Sequence, residues 1–405
     1  MIYEKQILGV LRNDVDADSC NQVVLSGDMD NNGWMDLVVC GNAGSLAILR
    51  NGEKYDRWQR FIIAENLNNV GPAAVLCDLT GNGSLDIILS GAEDGVVTWF
   101  ENPGALNGTW EKHEAFVTDC NGYTDMVVAD NLLGDGRRCL MLVGAKEEGA
   151  TVYCAPIPAN AKEAWEAPMV LAEGLMDENA ELDIAVPAQG LAYGDIDGDG
   201  HMEFVCGSRW FKREGDAFVG HLYMTGKVAC RIALADIDGK DDLAIIACES
   251  NAVSAHELSG ATLSVFRKGL EITEMWEEQA LCDNIRDCGT LIVGSFTGST
   301  TPDIIVGEVG QAGLTRSLHT FKKPAHLGGF TFSSDTTRYL SEGEQPAIRM
   351  FQNVGGLFIE QVICSANGLY VGTLANVMHS ATPSLVGAPL LGSERWALHC
   401  YTARA

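Results

Sequence analysis

The sequence predicts an all-β fold, a seven-bladed β-propeller of four-stranded blades whose ring is closed by the N-terminal strand. Three observations predict it. One phrase recurs along the chain: a short apolar strand, an acidic glycine-containing loop, a second apolar strand and a glycine. Between copies, apolar and polar residues alternate at period two, and helical periodicity is nearly absent. The two chain ends carry complementary pieces of one further blade.

The copies read VVLSGDMDNNGWMDLVVCG from Val23, AVLCDLTGNGSLDIILSG from Ala74, MVVADNLLGDGRRCLMLVG from Met126, LAYGDIDGDGHMEFVCG from Leu191, IALADIDGKDDLAIIAC from Ile232 and LIVGSFTGSTTPDIIVG from Leu291. A weaker seventh, LYVGTLANVMHSATPSLVG, starts at Leu369. Their spacing, roughly 40 to 80 residues, is that of propeller blades. Each phrase supplies the two inner strands of a blade and the outer two follow it, as VVTWFENPG from Val96 and WEKHEAF from Trp110 do in the second unit. At the carboxyl end, Arg395 to Tyr401 gives only a third strand. Tyr3 to Leu8 resembles the outermost strands at Trp110 and Phe358, so it is expected to close the ring and remove the exposed sheet edges. Residues 1–405 then form one domain, with one long insertion at about 309–344 in blade six.

Composition narrows the partners. The formal net charge of −28 repels nucleic-acid phosphates and anionic membranes, and no uninterrupted apolar run is long enough to span a bilayer. The start, Met1 to Val10, lacks the basic-then-apolar pattern of an export signal. The 13 cysteines include no CxxC pair, and Cys40, Cys77, Cys206 and Cys248 fall in apolar strands, as small buried hydrophobes do. The expectation is a cytoplasmic protein; the oligomeric state is not legible.

The acidic loops suit a hard cation. Asp28, Asp30, Asn32 and Asp36 occupy positions one, three, five and nine of the first loop, and Asp195, Asp197, Asp199 and Glu203 the same positions of the fourth. Oxygen ligands on a tight glycine-bearing turn point to structural Ca²⁺. The second loop, with Asp78, Thr80, Asn82 and Asp86, carries fewer charges and is expected to bind more weakly. The fifth, with Lys240 inside it, and the sixth, with Ser295, Thr297 and Ser299, are expected to have lost the ion. An EF-hand is excluded because strands rather than helices flank the loops.

These loops resemble the FG-GAP/VCBS repeats of integrin-like and bacterial propellers, over nearly the whole chain. Further phrases, Trp99 to Gly104, Gly207 to Phe211, and Gly307-Glu308 followed after the insertion by Arg349 to Asn353, resemble the carbohydrate-active members: rhamnose–glucuronate lyases, a related rhamnosidase group and aldosulose dehydratases. The resemblance implies an anionic oligosaccharide as substrate and leaves lyase, hydrolase and dehydratase chemistry open.

Propellers usually take ligands at the mouth of the channel, here on the face opposite the acidic loops. The insertion falls on that face and is locally basic, with Arg316, His319, Lys322, Lys323, His326 and Arg338 in an otherwise acidic protein. An ordinary solvated loop is the alternative to an anion-binding arm. Strand register places Asp125 and Arg231 near the channel, with Tyr123 on the same strand face as Asp125; a buried Arg–Asp pair is the plain structural alternative. Arg209 follows a short turn in blade four, beside Trp210.

For β-elimination on a uronate, Arg231 or Arg209 neutralises the carboxylate and Tyr123 or His319 transfers protons. Asp125, Trp210, Glu308, Lys322, Lys323, His326 and Arg338 are expected to hold substrate. Hydrolysis would instead use a carboxylate pair, Asp125 and Glu308. A non-catalytic binding propeller is the remaining class. His113, on an outermost strand, reads as packing or surface, and His201 lies on the loop face, away from this site.

Overall fold

A computed structural model describes residues 2–11, 20–52, 58–180, 183–249, 261–309, 320–322, 331–333, 346–365, 367–390 and 394–404. Seven sheets form the ring, and their innermost strands are Asn21–Gly27, Val70–Cys77, Tyr123–Asp130, Leu191–Gly194, Cys230–Ala235, Cys288–Gly294 and Val371–Ala375. The seventh blade is composite: Ile2–Val10 pairs antiparallel with Ala397–Arg404, Ile2 opposite Arg404 and Val10 opposite Ala397. This is the closure expected from the chain ends. Blade three carries a fifth strand, Ile184–Pro187, outside Met169–Asn179, which the repeat did not reveal.

The second strand of a blade is buried on both faces, as Asp36–Gly41 and Asp303–Glu308 are throughout. It lies between neighbouring sheets, so its sequence is a continuous apolar run rather than an alternating one. The core is therefore a series of inter-blade layers. Ile88, Trp99 and Phe116 of blade two pack with Tyr123, Leu140 and Tyr153 of blade three; Ile305 and Met350 of blade six meet Leu385 and Tyr401 of blade seven.

Each acidic loop is a turn of fixed design. Left-handed residues recur at its fourth and sixth positions, Asn31 and Gly33 in the first loop, Gly198 and Gly200 in the fourth, where a β-carbon is strained and glycine or asparagine is favoured. The first aspartate accepts backbone N–H bonds from across the turn: Asn32 and Gly33 donate to Asp28, Gly198 and Gly200 to Asp195. The acid at position nine is a clasp. Met29 N–H donates to Asp36, Leu79 N–H to Asp86, Ile196 N–H to Glu203 and Phe296 N–H to Asp303, at 2.8 to 3.1 Å. The clasped residues are fully or nearly fully buried, so the acid satisfies a donor that the core would otherwise strand.

A second device joins the blades. Asn102 Nδ2 donates to the Met29 carbonyl of the preceding blade at 2.9 Å, Asn51 Nδ2 to the Val377 carbonyl at 2.9 Å and Asn353 Nδ2 to the Ile237 carbonyl at 2.7 Å. Each of these asparagines stands at the end of the third strand of its blade, Asn51 and Asn102 just past it and Asn353 one residue before its last, and its own N–H donates to the clasp acid, Asp36, Asp86 and Asp303 in turn. At the same position of blade five, Lys268 Nζ donates to the Ile196 carbonyl at 2.7 Å, and in blade four Arg213 reaches the Leu133 carbonyl. One strand-three position thus latches blade to blade around five of the seven boundaries.

Candidate functional site

The starts of six innermost strands converge on a cavity of about 240 Å³ in the centre of the ring. Its polar lining includes Gln22, Thr124, Asp125, Arg231, Thr290 and Tyr370. It lies towards the face opposite the acidic loops, because these residues stand at the starts of the strands that run down to those loops. Arg231 and Asp125, expected at the channel from register, both line it. They do not form the ion pair that was the structural alternative. Asp125 Oδ2 accepts the Gly190 N–H at 3.0 Å, and Arg231, half-buried, makes no hydrogen bond or ion pair among the described residues. Thr124 Oγ1 is buried there with no partner among the described residues. A half-buried guanidinium whose donors are unused among the described residues has the chemistry to hold an anion, because burial weakens the water competition that would screen it.

Other expected site residues are placed elsewhere. Tyr123 is buried between blades two and three; its hydroxyl donates to the Gly95 carbonyl at 3.0 Å and lies 2.7 Å from Thr118 Oγ1. Burial raises its phenol far above the ordinary range, so the structure corrects its expected role: it braces the blade interface and does not transfer protons at the channel. The alternation that aligned Tyr123 with Asp125 fails because the strand has a register shift between Tyr123 and Asp125.

Glu308 is also corrected. It is fully buried and accepts from Ala347 N–H at 2.8 Å, Arg286 N–H at 3.2 Å and Arg349 Nε at 2.9 Å, which fastens blade six across the root of the insertion. Trp210 is fully buried in the layer between blades four and five, with no face for a sugar. Arg209 lies outside the cavity lining, with Nη1 3.4 Å from both the Met176 carbonyl and Ser208 Oγ. Close by, Ser208 N–H donates to the buried Asp177, whose carboxyl is pushed up to about 6 by burial. The insertion joins Asp303–Glu308 to Ile348–Val354, the second and third strands of blade six, on the channel-mouth face. Its short strands Thr320–Lys322 and Thr331–Ser333 pair with each other, and Lys322 ends the first. His319, Lys323, His326 and Arg338 lie outside the described residues.

The acidic loops are on the other face. Carboxylate oxygens of Asp28, Asp30 and Asp36 lie within 4.8 Å of one another, as do those of Asp195, Asp197 and Asp199. Asp30 Oδ1 and, in the second loop, Thr80 Oγ1 are buried with no partner among the described residues, which fits a cation ligated there. Three features temper the fit. Arg50 pairs with Asp30, and Lys212 with Asp197 and, at 2.7 Å, with Asp199, so a side-chain cation already offsets part of the charge of the first and fourth loops. The amide oxygens of Asn32 and Asn82 accept the Trp34 and Ser84 N–H groups. The clasp carboxyls are held high by burial, Asp36 and Glu203 at about 7, with Asp86 raised too.

Sequence reasoning missed the latch asparagines. Asn102 and Asn353 stood inside the Trp99–Gly104 and Arg349–Asn353 phrases; the recurrence of Asn one residue beyond a strand-three charged or amide side chain, Arg50-Asn51, Glu101-Asn102 and Gln352-Asn353, was the available signal.

The FG-GAP-like repeat matches residues 28–89, which run from the first acidic loop through the second. No curated protein matches the chain. Among solved structures it is similar to the N-terminal part of BBS1 in complex with ARL6, at 12% identity over 98% of this chain and 96% of that one, with a TM-score of 0.56. It is also similar to a Bacillus licheniformis rhamnogalacturonan lyase, at 12% identity over 100% of this chain and 76% of that one, TM-score 0.48, and to YCF48 from Cyanidioschyzon merolae, at 11% identity over 99% of each chain, TM-score 0.46. The first likeness speaks for the propeller fold alone; the other two carry no argument about function.

Proposed function

We propose that this propeller takes a uronate-containing oligosaccharide at the mouth of its channel and cleaves it by β-elimination, with Arg231 holding the carboxylate. The observation that carries the reading is the half-buried Arg231 guanidinium, unpaired among the described residues, in the channel cavity beside Gln22, Thr124 and Asp125. A planar guanidinium matches a carboxylate with two parallel hydrogen bonds, and the neighbouring polar groups suit sugar hydroxyls.

Neutralising the carboxylate lowers the cost of removing the proton α to it. A base takes that proton, the electron pair forms the ring C=C bond, the glycosidic C–O bond β to the carboxylate breaks, and the departing oxygen receives a proton. Tyr123 does not reach this site. His319 of the basic insertion is the group proposed for the transfers, with Lys322, Lys323, His326 and Arg338 adding positive charge for the rest of an anionic chain. Hydrolysis by a carboxylate pair is less favoured, since Glu308 is consumed by Arg349, Arg286 and Ala347. Structural Ca²⁺ in the loops of Asp28 and Asp195 is part of the proposal and braces the far face.

The test is the ultraviolet absorbance of an unsaturated uronate, followed across a panel of rhamnose–glucuronate and other uronate oligosaccharides. The proposal expects a rise with at least one of them that Arg231→Gln abolishes. Saturable binding with no rise would mark a non-catalytic binding propeller, and neither binding nor a rise would remove the carbohydrate reading.

A further inference from the structure

On the acidic-loop face of blade two, the third and fourth strands, Val96–Glu101 and Glu111–Val117, bring together Glu101, Glu111 and His113. Cross-strand register does this directly, since Trp99 faces His113 and Glu101 faces Glu111. The three ligand-type atoms lie within 4.8 Å of one another: His113 Nε2 is 3.4 Å from Glu101 Oε2 and 3.9 Å from Glu111 Oε2.

Two of these atoms are in an unusual state. His113 Nε2 and Glu101 Oε2 are both buried, face each other, and have no hydrogen-bond partner among the described residues. A lone pair against a carboxylate oxygen is repulsive, so something positive belongs between them. A shared proton would draw the pair to about 2.7–2.9 Å, the length of a charge-assisted N–H···O bond. A tetrahedral ion with bonds of about 2.1 Å separates its ligand atoms by about 3.4 Å, the distance between His113 Nε2 and Glu101 Oε2.

The surroundings are built for the same end. The His113 ring stacks on the buried Trp99 at a centroid distance of 4.2 Å and an interplanar angle of 20°, which fixes its orientation. Lys162 Nζ holds the other oxygen of Glu101 at 2.8 Å, which leaves Oε2 directed at the histidine. The charge pattern is specific to this blade. Opposite the clasp acid, where blades one and four place Arg50 and Lys212 against the third loop aspartate, blade two places Glu101, and its loop carries Thr80 in place of that aspartate. The negative charge has moved from the loop to the outer strands, where the histidine is.

We propose that Glu101, Glu111 and His113 form a binding site for a divalent transition-metal ion of the Zn²⁺ class. An imidazole with two carboxylates favours such an ion over Ca²⁺, and three protein ligands leave a fourth position for water. Glu111, 65% exposed at its side chain, is the ligand that swings in on binding. The site is on the face opposite the channel and stands independently of the carbohydrate reading.

The experiment uses the full chain, stripped of metal and then saturated with Ca²⁺ to fill the acidic loops, and titrates Co²⁺ and Zn²⁺. The expected result is one Co²⁺ per chain with the intense visible bands of a four-coordinate ion, displaced by Zn²⁺. Glu101→Gln and His113→Gln each weaken binding about tenfold or more while the circular dichroism is unchanged, and Glu111→Gln weakens it less. If His113→Gln loosens the fold, nuclear magnetic resonance of wild-type protein decides: the His113 imidazole signals must shift on Zn²⁺ addition. Co²⁺ bands that persist in both Glu101 and His113 variants, or a His113 ring that stays protonated and unshifted under excess Zn²⁺, would overturn the site and leave an ion pair.

Discussion

Asn102 of blade two donates its side-chain amide to the carbonyl of Met29 in blade one, 2.9 Å away, while its backbone N–H is taken by Asp86. Both residues are fully buried. The contact ties the end of a third strand to the loop of the preceding blade, so it resists the separation of neighbouring sheets that opening the ring requires. Replacing Asn102 by Ala strands the Met29 carbonyl in the core and is expected to cost about 1–3 kcal/mol. Urea unfolding measures this. Asn353→Ala should behave alike through Ile237, whereas Asn160→Ala, on an exposed turn, should change little.

Calcium should raise the melting temperature and a chelator should lower it. Arg50 pairs with Asp30, and Lys212 with Asp197 and Asp199, so each would compete with an ion for those carboxylates. Arg50→Gln and Lys212→Gln are therefore expected to weaken the metal-free protein and tighten Ca²⁺ binding, read as a larger melting shift per increment of Ca²⁺. A melt indifferent to Ca²⁺ in wild type and both variants would remove the metal from these loops and leave the two side-chain cations as their braces.

Two buried groups give stability opposite dependences on pH. Burial holds His399 down at about 4, outweighing Glu394 3.2 Å away, so the folded protein binds fewer protons than the unfolded chain. Its contribution is present above the ordinary histidine range and is lost as pH falls towards 4. Asp177 is raised to about 6 by burial, so its contribution is present below the ordinary carboxylate range and is lost as pH rises through 6. Denaturant midpoints measured between pH 4 and 7 should lose part of their acid-side fall in His399→Gln. In Asp177→Asn the fall on the acid side should become steeper, because the opposing term is gone.

Tyr123→Phe and Glu308→Gln separate bracing from chemistry. Both should lower the unfolding free energy, by about 1–3 kcal/mol where a buried partner is left unmet. Neither should change the affinity of folded protein for a channel ligand. A variant that keeps its stability and loses ligand affinity would return that residue to the site.

The ring was legible because blades repeat: the seven phrases, the period-two strands and the matched chain ends all follow from one unit copied around an axis. The fifth strand at Ile184–Pro187 breaks the repeat and so had no signal. At the site, register alone located Asp125 and Arg231, since innermost strands point residues at the channel by position. Register misled for Tyr123, because the shift beside Asp125 turns its side chain into the blade interface. Glu308 and Trp210 looked functional as polar or aromatic residues near a mouth; whether such a side chain faces solvent or a neighbouring sheet depends on inter-blade packing, which one strand's sequence does not contain. His113 looked like packing for a related reason: Glu101 reaches it only through cross-strand pairing, although Glu111, two residues earlier on the same strand, stood in the sequence.

In the proposed function the Arg231 guanidinium is the carboxylate receptor of the channel. The most direct test of that role is calorimetric titration of a uronate oligosaccharide into wild type and Arg231→Gln, beside the same oligosaccharide with its carboxylates reduced to alcohols. Wild type should prefer the carboxylate form, and Arg231→Gln should lose about tenfold or more of that affinity, in keeping with a charged hydrogen-bonded pair, while binding the reduced form as wild type does. Equal affinity of wild type and Arg231→Gln for the uronate would contradict the claim.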